Sequence, residues 1–158
     1  MFTFEEHLNN LVRHIQLVHE ACLLLGRRLI ARGETDFGRL LIAKGFQHDK
    51  SKFYGIEWRF LHQGKDTPRP ELNRAIQQHI ETNDHHPEYW GGIQHMPRMA
   101  VAEMVCDWYA RSQELGTALR SWITLEAVQK FGIDLKGDQY VWIQDFVSVL
   151  LEDPFVRE

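Results

Sequence analysis

Apolar residues recur at three- and four-residue steps from early in the chain. Leu8, Leu11, Val12, Ile15, Val18, Cys22 and Leu25 trace one face of a helix over residues 5 to 32. "RGETD" breaks the pattern, with Gly33 as a stop and Thr35 or Asp36 as the next N-cap. A second helix runs from Phe37 to about His48, with Leu40, Leu41, Ile42 and Phe46 apolar. "YGIEWRFLHQGKDTPRP" loses the period and reads as a short helix and a loop. Pro70 opens a third helix, Glu71 to Ile80, whose inner stripe is Leu72, Ile76, His79 and Ile80. After the turn-rich "ETNDHHPEYWGG", Pro97 starts a fourth helix from Arg98 to about Leu119, carrying Val101, Met104, Val105, Trp108 and Leu115. "SWITLEAVQKFGI" predicts another short helix. "YVWIQDFVSVLLE" is the last helix; its β-branched residues would suit a strand, but no partner strand exists. The expectation is an all-α bundle of five to seven helices.

The chain has 158 residues, which fits one domain able to bury a core without disulfides. Residues 1–158 are read as a single unit, with the chemistry in about 10–120 and C-terminal helices in 121–158. No apolar run spans a bilayer, and "MFTFEEHLNN" is too polar for a secretory leader, so a cytoplasmic location is expected. The net charge of −4 argues against a bulk nucleic-acid partner. Two cysteines in apolar helical patterns, Cys22 and Cys106, read as buried thiols, and the lack of a CxxC pair excludes a cysteine-rich zinc knot. Long amphipathic helices with several tryptophans allow a homodimer.

Nine histidines are more than this length would carry by chance, and their grouping matters more than their number. The first helix offers His14 and His19, flanking its apolar stripe on opposite sides. His48-Asp49 closes the second helix. Adjacent helical residues point about 100° apart, so this pair can grip one ion only at a helix end or a distorted turn. His79 lies on an apolar stripe, where a histidine is either a satisfied core residue or a ligand. His85-His86 is either a polar turn or a ligand pair, with Glu88 beside it. Asp107, between Cys106 and Trp108, is either exposed and paired with Arg111 at i+4 or buried with a partner, because an unpaired buried carboxylate is costly. His7, His62 and His95 read as surface residues.

The ordered set His, His-Asp, His, His, Asp resembles the HD-domain superfamily of metal-dependent phosphohydrolases. The similarity is greatest to a small phage and bacterial branch, on "HIQLV", "HDKSKF", "AIQQHIETNDHHPEYW" and "MVCDW", over roughly residues 10 to 135. The resemblance implies an HD-like helical bundle. It also implies one or two divalent ions held by His14, His48, Asp49, His79, His85, His86 and Asp107. His19 is the alternative to His14, because "RGETDFGRL" lengthens the stretch before His48.

Such a site polarises a phosphoryl oxygen and activates water. The mixed nitrogen and oxygen donors suit Mn, Fe, Zn, Co or Ni better than magnesium alone. Lys52 and Arg111 are candidates to hold phosphate oxygens, whereas Lys50 reads as a solvated charge. Glu88 or Glu103 is expected to orient water or a ligand histidine. Tyr89 and Trp90 either stack on a base or plug the core. The expected substrate is a small-molecule phosphate ester, with a nucleotide favoured. Two alternatives stay open: a di-iron oxygenase of HD type, and a non-catalytic helical metal-binding protein.

Overall fold

The structure, a computed structural model, describes residues 3–61 and 66–152; His62 lies outside them. Helix α1 (Phe4–Ala31) starts at a capping box. The Thr3 hydroxyl accepts from the Glu6 amide at 3.2 Å, and the Glu6 carboxylate accepts from the Thr3 amide at 2.6 Å. α2 (Thr35–Gly45) folds back antiparallel along α1. The two approach at glycines. A Cβ on Gly26 would sit 2.7 Å from the Gly38 carbonyl oxygen, and one on Gly45 would sit 2.6 Å from the Cys22 Cβ. Only glycine allows that approach, which carries the end of α2 against the middle of α1.

After a 3₁₀ turn (Lys50–Phe53) come α3 (Gly55–Phe60) and α4 (Arg69–Thr82), packed on each other. Two further 3₁₀ turns, Pro87–Trp90 and Ile93–His95, lead to α5 (Arg98–Leu115). α5 is the central helix. Every residue from Ala100 to Cys106 is buried, as expected of a helix covered on several sides by α1, α2 and α8. It stops at Gly116, in the left-handed region (φ 64°), earlier than the apolar pattern suggests; Leu119 instead opens the next helix. That segment is irregular: α6 (Leu119–Trp122), a π turn (Ile123–Ala127) and α7 (Val128–Phe131). α8 (Asp138–Leu150) closes the bundle, with Ile143, Phe146, Val147 and Val149 fully buried.

The architecture is all-α, and the described residues contain no strand. The β-branched last segment is helical because its apolar face packs on α1 and α5. Arg98 ties three helices, its guanidinium 4.5 Å from the Phe37 ring centre and 5.1 Å from that of Phe146. Cys22 and Cys106 are free and buried. No helix among the described residues is long and apolar enough to cross a membrane.

Candidate metal centre

The α2 helix ends before His48, and the next residue decides the site. Asp49 adopts a left-handed backbone (φ 56°, ψ 20°), the only non-glycine among the described residues with positive φ. That conformation costs about 1–2 kcal/mol for most side chains. Here it breaks the helical 100° step, so that His48 and Asp49 both face one point. Residues far apart in sequence arrive at the same point. His14 comes from α1, His79 from α4, His85 and His86 from the following turn, and Asp107 from α5.

The donor atoms form two groups sharing Asp49. In the first, His14 Nε2 lies 3.0 Å from Asp107 Oδ1, and His48 Nε2 lies 3.5 Å from Asp49 Oδ2 and 4.0 Å from Asp107 Oδ1. In the second, His79 Nε2 and His85 Nε2 each lie 3.3 Å from Asp49 Oδ1. One donor atom each from Asp49, His79, His85 and His86 all fall within 4.8 Å of one another. For ligand bonds of ~2.1 Å, adjacent donors sit about 3.0 Å apart around an octahedral ion and about 3.4 Å around a tetrahedral one. The 3.0 and 3.3 Å contacts fall in that range, while the two made by His48 Nε2, at 3.5 and 4.0 Å, are longer.

Hydrogen bonding favours the same interpretation. Asp49 Oδ1 and the Nε2 atoms of His48, His85 and His86 are buried without a hydrogen-bond partner among the described residues. A buried polar atom left unpaired costs about 1–3 kcal/mol, so several converging on one space need a shared partner. A cation satisfies them all at once.

The opposite ring nitrogens are held by carboxylates. Glu103 Oε1 takes His48 Nδ1 at 3.0 Å and His85 Nδ1 at 3.4 Å. Glu57 Oε2 takes His79 Nδ1 at 2.9 Å, and Glu114 Oε2 takes His14 Nδ1 at 3.2 Å. With the proton on Nδ1, each Nε2 presents a lone pair to the centre. Glu57 is itself pinned. The Ser51 hydroxyl donates to it at 2.9 Å, and Asn83 Nδ2 donates to that hydroxyl and to the His79 carbonyl, each at 2.9 Å. Lys44 Nζ lies 3.2 Å from Glu103 Oε2 and 2.7 Å from Asp84 Oδ2.

Electrostatics concentrate negative charge here. Burial raises the Asp49 carboxyl, but His48, His79, His85 and Lys52 outweigh it and hold its pKa well below the usual range. Burial is likewise outweighed at Glu103 by His48 and His85, and at Asp107 by His14, His48 and His85. Burial pulls His85 down, yet Asp49, Glu103 and Asp107 push it up to about 10, so a cation taking its Nε2 lone pair would displace a proton. His86 goes the other way, to about 3, through burial and the neighbouring His85 and His79. A buried cluster of ionised carboxylates focuses a field that recruits cations.

A cavity of about 320 Å³ opens onto the cluster, lined by His14, Asp49, His79, His85, His86 and Asp107 at one end. Lys52 and Arg111 also line it. Lys52 Nζ lies 2.7 Å from Asp49 Oδ2. Arg111 pairs with Glu114 at 2.8 Å and Asp107 contacts His14, so of the two readings of Asp107 the one that pairs it with Arg111 does not hold. Glu88 sits exposed at the cavity wall, and its carboxylate forms no ion pair with the clustered histidines among the described residues. His19 stays outside the cluster, its ring 4.3 Å from that of Phe46. His95 is exposed, as expected, and His7 is half-buried beside a second cavity. Trp90 is a plug, donating its indole N–H to the Asp84 carbonyl at 2.8 Å and packing on the core.

Sequence reasoning missed Glu57, Glu114 and Lys44. Glu57 carried one usable signal, an acidic residue between Ile56 and Trp58 in an aromatic stretch; the other two sit at ordinary surface-like positions. The family model described as "Family of unknown function (DUF5662)" matches residues 3–148. No curated protein and no solved structure matches the chain.

Proposed function

We propose that this chain, which belongs to the DUF5662 family, is a metal-dependent phosphohydrolase of HD-domain type acting on a small phosphate ester, with a nucleotide as the favoured substrate. One observation carries the reading. Unpartnered buried donors from two separate segments, His48-Asp49 and His85-His86, converge with His14, His79 and Asp107 beside a cavity that also presents Lys52 and Arg111. A purely structural ion would need no such cavity.

A divalent ion in this donor set would polarise a phosphoryl oxygen and lower the pKa of bound water toward neutrality. The residues that would hold it are His14, His48, Asp49 and Asp107 on one side and Asp49, His79, His85 and His86 on the other. The nitrogen-rich set suits Mn, Fe, Co, Ni or Zn. Lys52 and Arg111 hold the non-bridging oxygens and offset charge that builds as the ester oxygen departs. Glu103, Glu57 and Glu114 fix the histidine rings. Glu88, at the wall, can take a proton from solvent-side water but holds no ligand.

Elemental analysis of purified protein, then a panel of phosphate esters assayed with Mn²⁺, Fe²⁺ or Co²⁺, tests this reading. The expected result is one to two bound ions per chain and phosphate release, both abolished in Asp49→Ala and Asp107→Ala with helical content retained. Oxygen consumption by an iron form without phosphate release would assign the site to a di-iron oxygenase. Bound metal with neither reaction would make it a binding protein.

A further inference from the structure

The geometry points to a leaving-group subsite in the far half of the same cavity. Trp108, Trp122 and Phe131 form its wall, and they select a flat aromatic ring over an alkyl or polyol group. This inference rests on the phosphohydrolase reading above. The cavity has two chemically distinct ends. Beyond the donor cluster its lining is Met104, Trp108, Leu115, Trp122 and Phe131. Trp108 meets the Trp122 ring edge-on, centroids 5.1 Å apart, and stacks on Phe131 at 5.6 Å with 15° between planes. All three rings are only half-buried, so apolar surface faces the cavity. Neither a metal nor a phosphate has use for it.

The backbone is bent to build this wall. Phe131 lies nine residues after Trp122. On a regular helix, steps of about 100° would put the two on opposite faces. The π turn Ile123–Ala127 widens the helix and reduces the turn per residue, which brings both rings round to the cavity. Such turns concentrate at functional sites. Lys130 stands at the rim, its Nζ 5.1 Å from the Phe131 ring centre. It can meet an acceptor on the edge of a bound ring. The occupant is therefore a planar ring with hydrogen-bond acceptors at its edge, joined to the phosphate that the cationic end holds. Tyr89 and Trp90, the aromatic residues that stand out beside the histidines in the sequence, do not line this cavity.

The test compares two esters with the same phosphate end: adenosine monophosphate and glycerol phosphate, with the Mn²⁺-loaded protein. Loss of one stacking ring is expected to raise KM for adenosine monophosphate about 10- to 100-fold in Trp122→Ala, with kcat little changed. Glycerol phosphate turnover stays at the wild-type level, and Trp122→Phe retains most of the nucleotide preference. Phe131→Leu gives the same direction of change should Trp122→Ala melt early by circular dichroism. Equal losses on both esters, or none, overturn the subsite. Calorimetric binding of the two esters to metal-loaded and metal-free protein supplies a readout independent of turnover. If no ester is hydrolysed, the phosphohydrolase reading fails. Tighter binding of adenosine monophosphate, lost in Trp122→Ala, then still supports the ring subsite, and equal binding removes it.

Discussion

Replacing Glu103 by glutamine probes the layer behind the proposed metal ligands. Glu103 is buried, and one of its oxygens holds the Nδ1 atoms of His48 and His85, at 3.0 and 3.4 Å. These two histidines belong to different donor groups, joined through Asp49. Glutamine keeps the size and one acceptor oxygen but removes the charge. It can also turn its N–H₂ toward Nδ1, which favours the wrong tautomer. Loss of such a partner typically costs 10- to 100-fold in metal affinity, or about 1.4–2.8 kcal/mol at 1.4 kcal/mol per tenfold. Because both groups are touched, Glu103→Gln should weaken every ion the protein binds. Glu114→Gln should weaken only the ion on His14, and Glu57→Gln only the one on His79. Competition against a chromophoric chelator with Mn²⁺ or Co²⁺ measures this, with a thermal melt of the metal-free protein as control. Wild-type affinity in Glu103→Gln, with the ion count unchanged, would show that the carboxylate does not set the ligand rings.

Gly38→Ala should destabilise the protein by about 1–3 kcal/mol, as overpacking does. Its new methyl would collide with the Gly26 carbonyl oxygen and with Ile30 Cγ1, 2.7 Å away. Urea denaturation measures the loss, and unchanged stability would mean that the α1–α2 approach is not tight. Asp49→Asn and Asp49→Ala should both lose metal, but the alanine variant should be less stable in the metal-free state by about 1 kcal/mol, because asparagine tolerates the left-handed backbone. Equal melting temperatures would show that this conformation is not retained.

The sequence by itself determined the helices. A helix after Pro97 was legible in Val101, Met104 and Val105, though not its central, buried place, and the last helix in the absence of any partner for a strand. The residue types of the donor cluster were legible too, but only as an ordered set, since His79 or Asp107 alone fits a bland role equally well. Tertiary structure placed His14, and not His19, in the donor cluster. The buried stripe of α1 runs through Leu11, His14, Val18, Cys22 and Leu25, while Val12 is exposed. That rotation is set by where glycines let α2 approach, not by α1's own period. Tertiary structure also decided the carboxylates behind the clustered histidines. Glu114 is 100 residues from His14 and Glu103 is 55 from His48, and periodicity carries no information on such pairings. Local pattern states which face of a helix leaves water; which buried side chains then meet depends on the packing of all the helices together.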